Sequence, residues 1–299
     1  TMAKGRGLKI NEYGVFRGEE PIAGRTEEEV YATLDLPCFG PELREARREF
    51  EWARDGQMPE LIDLADIRGD LHMHSTWSDG LFSIEEMAAA AKQRGLQYVA
   101  ISDHSKRVAM AGGLTADRLR QQWEEIDSLN GQIEGIKVLK SIEVDILEAG
   151  GLDLDDDVLS AADWVVASVH YGQNQSRDRI TGRVIDALAN PCVDAIAHPT
   201  GRLINRRNAY EIDLDAVLKA AADHRKMMEL NAHPSRLDLN DVGCAAAKNL
   251  GVPIVISTDA HSIDGLDVMR YGILQARRGG LTKRDVANTR TWAGLKKLL

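Results

Sequence analysis

The chain has 299 residues, 43% hydrophobic and 28% charged, with 37 Lys and Arg against 47 Asp and Glu for a formal net charge of −10. These proportions describe a soluble globular protein long enough for one large α/β domain, or a domain plus an arm. The acidic balance excludes a broad nucleic-acid-coating surface but leaves room for a basic rim around a local site.

No apolar run approaches the roughly 20 residues of a membrane span, and no signal-peptide pattern opens the chain. The three cysteines, Cys38, Cys192 and Cys244, stand singly with no Cys-x-x-Cys spacing. They read as reduced thiols in a cytoplasmic protein with no membrane partner, so any metal site must rest on histidines and carboxylates.

Residues 1–36 form a small unit of their own. Residues 7–16 alternate like a strand, 18–24 read as a turn, and Thr26 with Glu29 is a capping-box pattern opening a helix. The Asn11-Glu12-Tyr13 strand followed by an acidic helix resembles the end of the thumb region of family X DNA polymerases. That resemblance includes no palm and its catalytic aspartates, so it carries no polymerase activity with it, and a packing arm is the plainer reading. Residues 37–69 are a connector punctuated by Pro37, Pro41 and Pro59, with a charged helix expected over 42–54.

From residue 70 the chain alternates strand and helix. Asp70-Leu71-His72-Met73-His74 has strand periodicity, which points both imidazoles to one side, about 7 Å apart along the strand. Two such rings can grip one divalent metal, and Asp79 follows in a turn. Further apolar strands are expected at 98–104, 137–146, 164–170, 195–199, 227–231 and 254–261. Between them lie helical stripes, such as Leu119, Trp123 and Ile126 or Ile180, Val184 and Leu188. Near-continuous apolar strands alternating with helices predict a parallel sheet covered on both faces, and seven strands suit a closed barrel. No Gly-x-Gly-x-x-Gly or Walker-type loop appears, which excludes a nucleotide-cofactor fold.

The ligand-type residues gather at one end of these strands: His72 and His74, His104, Glu143 and Asp145, His170, His198, then Asp259 and His261. In a β/α barrel the C-terminal strand ends are where active sites assemble. His224 reads as a solvent-facing helix residue, and His233, after the sixth strand, as a loop residue, with an approach to the site as the alternative. Mixed imidazole and carboxylate donors without thiolate suit Mn, Zn or Fe. Shared among several ions, they leave positions open for water and a phosphoryl oxygen. The following loops carry cations at Lys106, Arg107, Arg177, Arg179, Arg202, Arg206, Arg207 and Arg236, an arrangement suited to phosphate. Trp77 reads as a wall of the barrel mouth or a stacking platform.

These motifs, Asp70 to Ser75 with Asp79, Ser102-Asp103-His104, Glu143, Ser168-Val169-His170, His198-Pro199 and Thr258 to His261, resemble the polymerase-and-histidinol-phosphatase (PHP) domain over residues 70 to about 270. With the thumb-like arm in front, the chain is most similar to the C-terminal PHP domains of bacterial family X polymerases. The resemblance implies an α/β fold, a distorted (β/α)7 TIM-like barrel with a small N-terminal arm, holding two to three divalent ions. It divides the chain into an arm at 1–36, a connector at 37–69 and a hydrolase domain at 70–299.

Carried over residue by residue, it assigns His72, His74, Glu143 and Asp259 to a first, catalytic metal. It assigns Glu143, His170 and His198 to a second, and Asp79, His104 and His261 to a third. By their places in the loops after the strands, and not by the resemblance, Lys106, Arg107, Arg177, Arg202, Arg206 and Arg236 are the expected substrate contacts. The implied activity is a metal-dependent phosphoesterase, either a 3′→5′ exonuclease or 3′-end-processing nuclease on DNA, or a small-molecule phosphatase of the histidinol-phosphatase type. A non-catalytic module supporting a polymerase fits less well, because no ligand position is lost. A metal amidohydrolase would need a lysine at a strand end, and none is present there. The expected setting is a piece of a longer polymerase chain or a free-standing protein.

Overall fold

A computed structural model describes residues 2–299, in two compact units, one ending at Pro59 and the other spanning Glu60–Leu299. No helix among the described residues is long and apolar enough to cross a membrane.

In the first unit α1 (Met2–Gly5) precedes an antiparallel sheet of β1 (Lys9–Asn11), β2 (Gly14–Arg17) and β3 (Glu20–Ala23). The stretch expected as a turn thus contains a third strand: Gly18 turns the chain at positive φ, and Glu20 then pairs back with Arg17. Thr26 caps α2 (Glu27–Ala32) by accepting from the Glu29 amide at 3.2 Å, as its spacing predicts. The helix expected over 42–54 is broken. A 3-10 turn at Pro41–Leu43 and α3 (Glu49–Arg54) flank Ala46 at φ 53°, whose amide donates to Glu49 at 2.6 Å. Phe39 meets Tyr31 and Phe50 edge-on at 5.4 and 5.3 Å, giving this unit its own small apolar centre.

The second unit is the expected barrel. Its strands are β4 (Gly69–Met73), β5 (Tyr98–Ile101), β6 (Lys137–Asp145), β7 (Trp164–Ser168), β8 (Ala195–Ile196), β9 (Met227–Asn231) and β10 (Ile254–Ser257). They lie side by side in sequence order, and every pairing is parallel. The helices are α4 (Ile84–Gln93), α5 (Ala116–Asn130), α6 (Asp156–Leu159), α7 (Arg177–Ala189), α8 (Leu214–Asp223), α9 (Asp241–Asn249), α10 (Met269–Arg278) and α11 (Trp292–Leu295). Ser83 and Glu86 form a reciprocal capping box that starts α4.

Alternate side chains divide into two cores, as strands covered on both faces require. Val99, Ile101, Val138, Ile142 and Val144 pack with the helices. Leu71, Ala100, Leu139, Trp164, Val166 and Val255 form the inner cluster, joined by Ala287 and Leu295 from the C-terminal segment. The expected donor residues belong to neither apolar cluster.

The seam between β4 and β10 is closed largely by side chains. The buried Asn288 carboxamide donates to the Gly69 and Ile256 carbonyls at 2.8 and 2.7 Å and accepts from the Ile256 amide at 3.1 Å. One step higher, buried Asp70 accepts from Thr258 Oγ1 (2.5 Å) and from the Thr258 amide (3.2 Å). Backbone bonds then complete the seam, from Asp259 N–H to His72 and from His74 N–H to Ala260, each 2.9 Å.

Strands β5, β6, β7, β8 and β10 stop short of the ends the apolar runs suggest, at Ile101, Asp145, Ser168, Ile196 and Ser257. His104, His170, His198, Asp259 and His261 therefore stand on the first residues beyond the ladder. The backbone explains part of this: His198 and Asp259 have φ of 26° and 54°, which no strand accommodates. A shift of register in β4 between Asp70 and Met73 marks an irregularity of the same kind beside His72.

Candidate metal centre

All nine expected donor residues converge at the C-terminal mouth of the barrel. Glu143, from the inner face of β6, is the centre of the group. Its Oε1 lies 3.0 Å from His198 Nε2 and 3.4 Å from His170 Nε2. Its Oε2 lies 2.7 Å from His104 Nδ1, 3.6 Å from His72 Nε2 and 3.8 Å from His74 Nε2. Asp259 Oδ1 approaches His74 Nε2 to 3.1 Å and His72 Nε2 to 3.7 Å. Asp79 lies 3.4 to 3.7 Å from His261, His104 and His74.

Three groups offer donor atoms within 4.8 Å of one another: His72, His74 and Asp259; His104, Glu143 and His170; and His74, Asp79, His104 and His261. His74 and His104 each serve in two of them, so this grouping is more interwoven than the partition implied by the resemblance.

These residues fit divalent ions on a physical test. Burying polar atoms without partners costs free energy, yet His72 Nε2, His74 Nδ1 and His198 Nδ1 are buried without a hydrogen-bond partner. His72 Nε2 and Glu143 Oε2 lie 3.6 Å apart, a gap that a shared cation would fill.

The electrostatics show the same crowding. Burial opposes charge on Glu143, but His170, His104 and His72 outweigh it and hold the carboxyl well below its usual range. Burial opposes protonation of His104 and His170, but Glu143 and their neighbouring aspartates raise them to about 10 and about 9. His74 is driven the other way, to about 3, by burial and by the imidazoles of His261 and His104. Protons and an ion therefore compete for the same lone pairs.

A second layer of acids holds the rings. Buried Glu229 on β9 lies 2.7 Å from His72 Nδ1 and accepts from the His198 amide at 2.6 Å. Asp145 lies 3.0 Å from His170 Nδ1 and accepts its amide at 3.1 Å. Asp103 accepts from the Ser75 amide and from Gln122, bracing the loop that carries Asp79. Such partners set the tautomer and orientation of a ligating imidazole. Sequence reasoning grouped Asp145 with the ligand-type residues and gave Glu229 and Asp103 no role of their own. Their only signal was a carboxylate within or just after an apolar strand.

The cations separate. Arg236 lines the cavity, with its Nε 3.3 Å from Asp259 Oδ2. Arg177 pairs with Asp213 at 2.8 Å, and Arg107 pairs with Glu148 while lying 4.4 Å from the Tyr171 ring centre. Arg202 donates to the carbonyls of Arg236 and Leu237, Arg207 to that of Gly201, and Arg179 to that of Ala149. Lys106 and Arg206 are exposed. Trp77 donates its indole N–H to Glu125 at 2.9 Å and packs against the outer core. His224 is exposed at the end of α8, and His233 is an exposed loop residue bonded to Ser235.

The donors and Arg236 share a cavity of about 470 Å³ with Val108, Met110, Ala111 and Tyr171. That volume lies in the roughly 300–1,000 Å³ range of small-molecule sites.

Comparison with known proteins supplies the context. The PHP domain profile matches residues 70–233, and the DNA polymerase beta thumb profile matches residues 1–45. The chain is 49% identical over 300 residues to "DNA polymerase/3′-5′ exonuclease PolX" of Bacillus subtilis; the match covers all of this chain and 52% of that protein, so this chain spans about half its length. It is 32% identical over 233 residues to a "probable phosphatase" of Thermoanaerobacter sp., covering 74% of this chain and 89% of the relative. In structure it resembles the histidinol phosphate phosphatase of Lactococcus lactis, solved with zinc, L-histidinol and phosphate. That likeness has a TM-score of 0.51 at 18% identity and covers 71% of this chain and 94% of the other.

Proposed function

The chain belongs to the PHP domain family, and from that premise we propose that it is a divalent-metal phosphoesterase acting on DNA 3′ ends, as a 3′→5′ exonuclease or 3′-end-processing nuclease. The observation that carries the reading is Glu143, a buried carboxylate with five imidazoles within 3.8 Å and with buried donor atoms around it lacking partners. The PolX name of the 49% identical relative and the thumb match at residues 1–45 favour DNA over a small metabolite. In this reading residues 1–36 are a thumb-like arm, 37–69 a connector and 70–299 the hydrolase, working in the cytoplasm.

In this reading His72, His74, Glu143 and Asp259 would hold a first ion, Glu143, His170 and His198 a second, and Asp79, His104 and His261 a third, two to three ions of Mn, Zn or Fe in all. Bound divalent ions supply an activated water near neutral pH and positive charge against the phosphoryl oxygens. The protein supplies the rest. Glu229 and Asp145 fix the ring orientations of His72 and His170, and Arg236 receives a non-bridging phosphate oxygen from its position beside Asp259.

The test is hydrolysis with Mn²⁺ of a 5′-labelled single-stranded oligonucleotide and of histidinol phosphate, side by side. Stepwise shortening of the oligonucleotide, with histidinol phosphate turned over far more slowly, is the expected result. The opposite preference would favour the small-molecule phosphatase, and no hydrolysis of either would favour a non-catalytic module.

A further inference from the structure

One wall of the cavity is built for something other than phosphate. Met110 is 96% exposed, the most exposed of the large apolar side chains, yet it is no stray surface residue. It lines the same cavity as His104, Glu143, His170 and Arg236, and that lining also includes Val108, Ala111 and Tyr171. Scattered exposed apolar residues need no explanation, but an apolar cluster at the rim of a polar site points to a ligand.

The loop that carries Met110 is braced. It leaves the barrel at Ser105 and returns at Leu114, whose amide donates to the carbonyl of His104 at 2.8 Å. Inside it Val108 N–H bonds Ser105, and Gly113 N–H bonds Val108, at 3.0 and 3.1 Å. Arg107 N–H donates to buried Asp153 at 2.8 Å, and Arg118 clamps the Gly112 carbonyl at 2.7 Å. On the neighbouring loop Tyr171 is covered by the Arg107 guanidinium at 4.4 Å. The tip is thus presented to solvent by a pre-ordered scaffold, where binding costs little ordering entropy.

Arg236 and the imidazoles of His104, His170, His198 and His261 line the same cavity. A ligand that engages both kinds of lining carries a phosphate against the donors and a flat apolar group against Met110 and Tyr171. A nucleotide has both. Thioether sulfur packs favourably on aromatic rings, and a base stacks on an aromatic face whatever its identity.

We propose that Met110 and Tyr171 form a subsite for the base of the 3′-terminal nucleotide, making Met110 a specificity-determining residue that favours nucleotide esters over phosphates lacking a base. The inference rests on the phosphoesterase reading and deepens it.

The experiment compares two oligonucleotides with Mn²⁺, identical except that one ends in an ordinary 3′ nucleotide and the other in an abasic one. Wild type, Met110→Ala and Met110→Leu are assayed on each. Wild type should show the lower KM for the base-bearing end, by roughly five- to 150-fold if the subsite is worth a typical stacking contact. Met110→Ala should cut that ratio severalfold, and Met110→Leu, which keeps an apolar side chain, should retain most of it. An unchanged ratio in Met110→Ala, or no preference in wild type, overturns the subsite while leaving the phosphoesterase reading intact. Failure of wild type to cleave either end overturns that reading, and this inference with it.

Discussion

Glu229 Oε1 lies 2.7 Å from Nδ1 of His72, while its Oε2 accepts the backbone N–H of His198 at 2.6 Å. One buried carboxylate on β9 thereby sets the ring of one donor and the backbone of another, helping to hold the second at its φ of 26°.

Glu229→Gln keeps the size and an acceptor oxygen but loses the charge. Metal affinity should fall about 10–100-fold, the range for loss of a partner behind a ligating imidazole, while the cooperative melt is retained. Competition titration against a chromophoric chelator measures the first and circular dichroism the second. Unchanged affinity would reduce Glu229 to a packing role.

The protonation of the donors predicts an alkaline weakness in chelated protein. His104 and His170 have folded-state values of about 10 and about 9, raised by Glu143 against the effect of burial. A histidine raised in this way contributes stability that is full below its unfolded value near 6.5 and is lost as pH rises through the folded value. Glu143 and Asp259 are depressed, and their contribution disappears only at acid pH, below the ordinary carboxylate range. Between pH 7 and 10 the melting temperature of chelated protein should therefore fall more than that of metal-loaded protein, in which ions replace the protons. Parallel curves over that range would contradict this.

The barrel seam gives a prediction for stability alone. Asn288 is the shared partner of the Gly69 carbonyl and of both backbone groups of Ile256, all in the buried seam. Asn288→Ala leaves buried groups unpaired at about 1–3 kcal/mol each. Chemical denaturation should show a loss of about 3 kcal/mol or more, and a change within about 0.5 kcal/mol would mean the seam is held elsewhere.

The seven strands and the gathering of nine histidines and acids at one end of the barrel were legible because each is a local pattern: an apolar run of strand length, then a histidine or acid within a few residues. The contributions of Glu229, Asp145, Asp103 and Asn288 were not, because each depends on a partner from another part of the chain. Glu229 is one polar letter inside Met227–Asn231 until the fold sets it against His72, 157 residues away. The strand ends were overrun because composition carries no sign of where the ladder stops or of the positive φ at His198 or Asp259. The loop cations read alike in sequence, although Arg177 is tied to Asp213 while Arg236 faces the donors.

That difference is measurable. Arg236→Ala should raise KM for an oligonucleotide roughly tenfold or more, the scale of a lost hydrogen bond to a charged group. It should also flatten the salt dependence by about 0.7 in the logarithmic slope, as expected for one phosphate contact on a single strand. Arg177→Ala, replacing a half-exposed residue already paired on α7, should change KM by less than about twofold. Equal effects at the two positions would mean that the DNA path is not the one the cavity suggests.

The central claim is that hydrolysis depends on ions gathered around Glu143. The most direct measurement titrates Mn²⁺ into chelator-treated protein and follows release of 3′-terminal product against metal equivalents bound per chain, for wild type and Glu143→Ala. The account predicts no activity in metal-free protein, activity that appears as the second equivalent binds, and none in Glu143→Ala at any loading, although that variant still melts cooperatively. Cleavage that survives chelation, or that persists in Glu143→Ala, would contradict it.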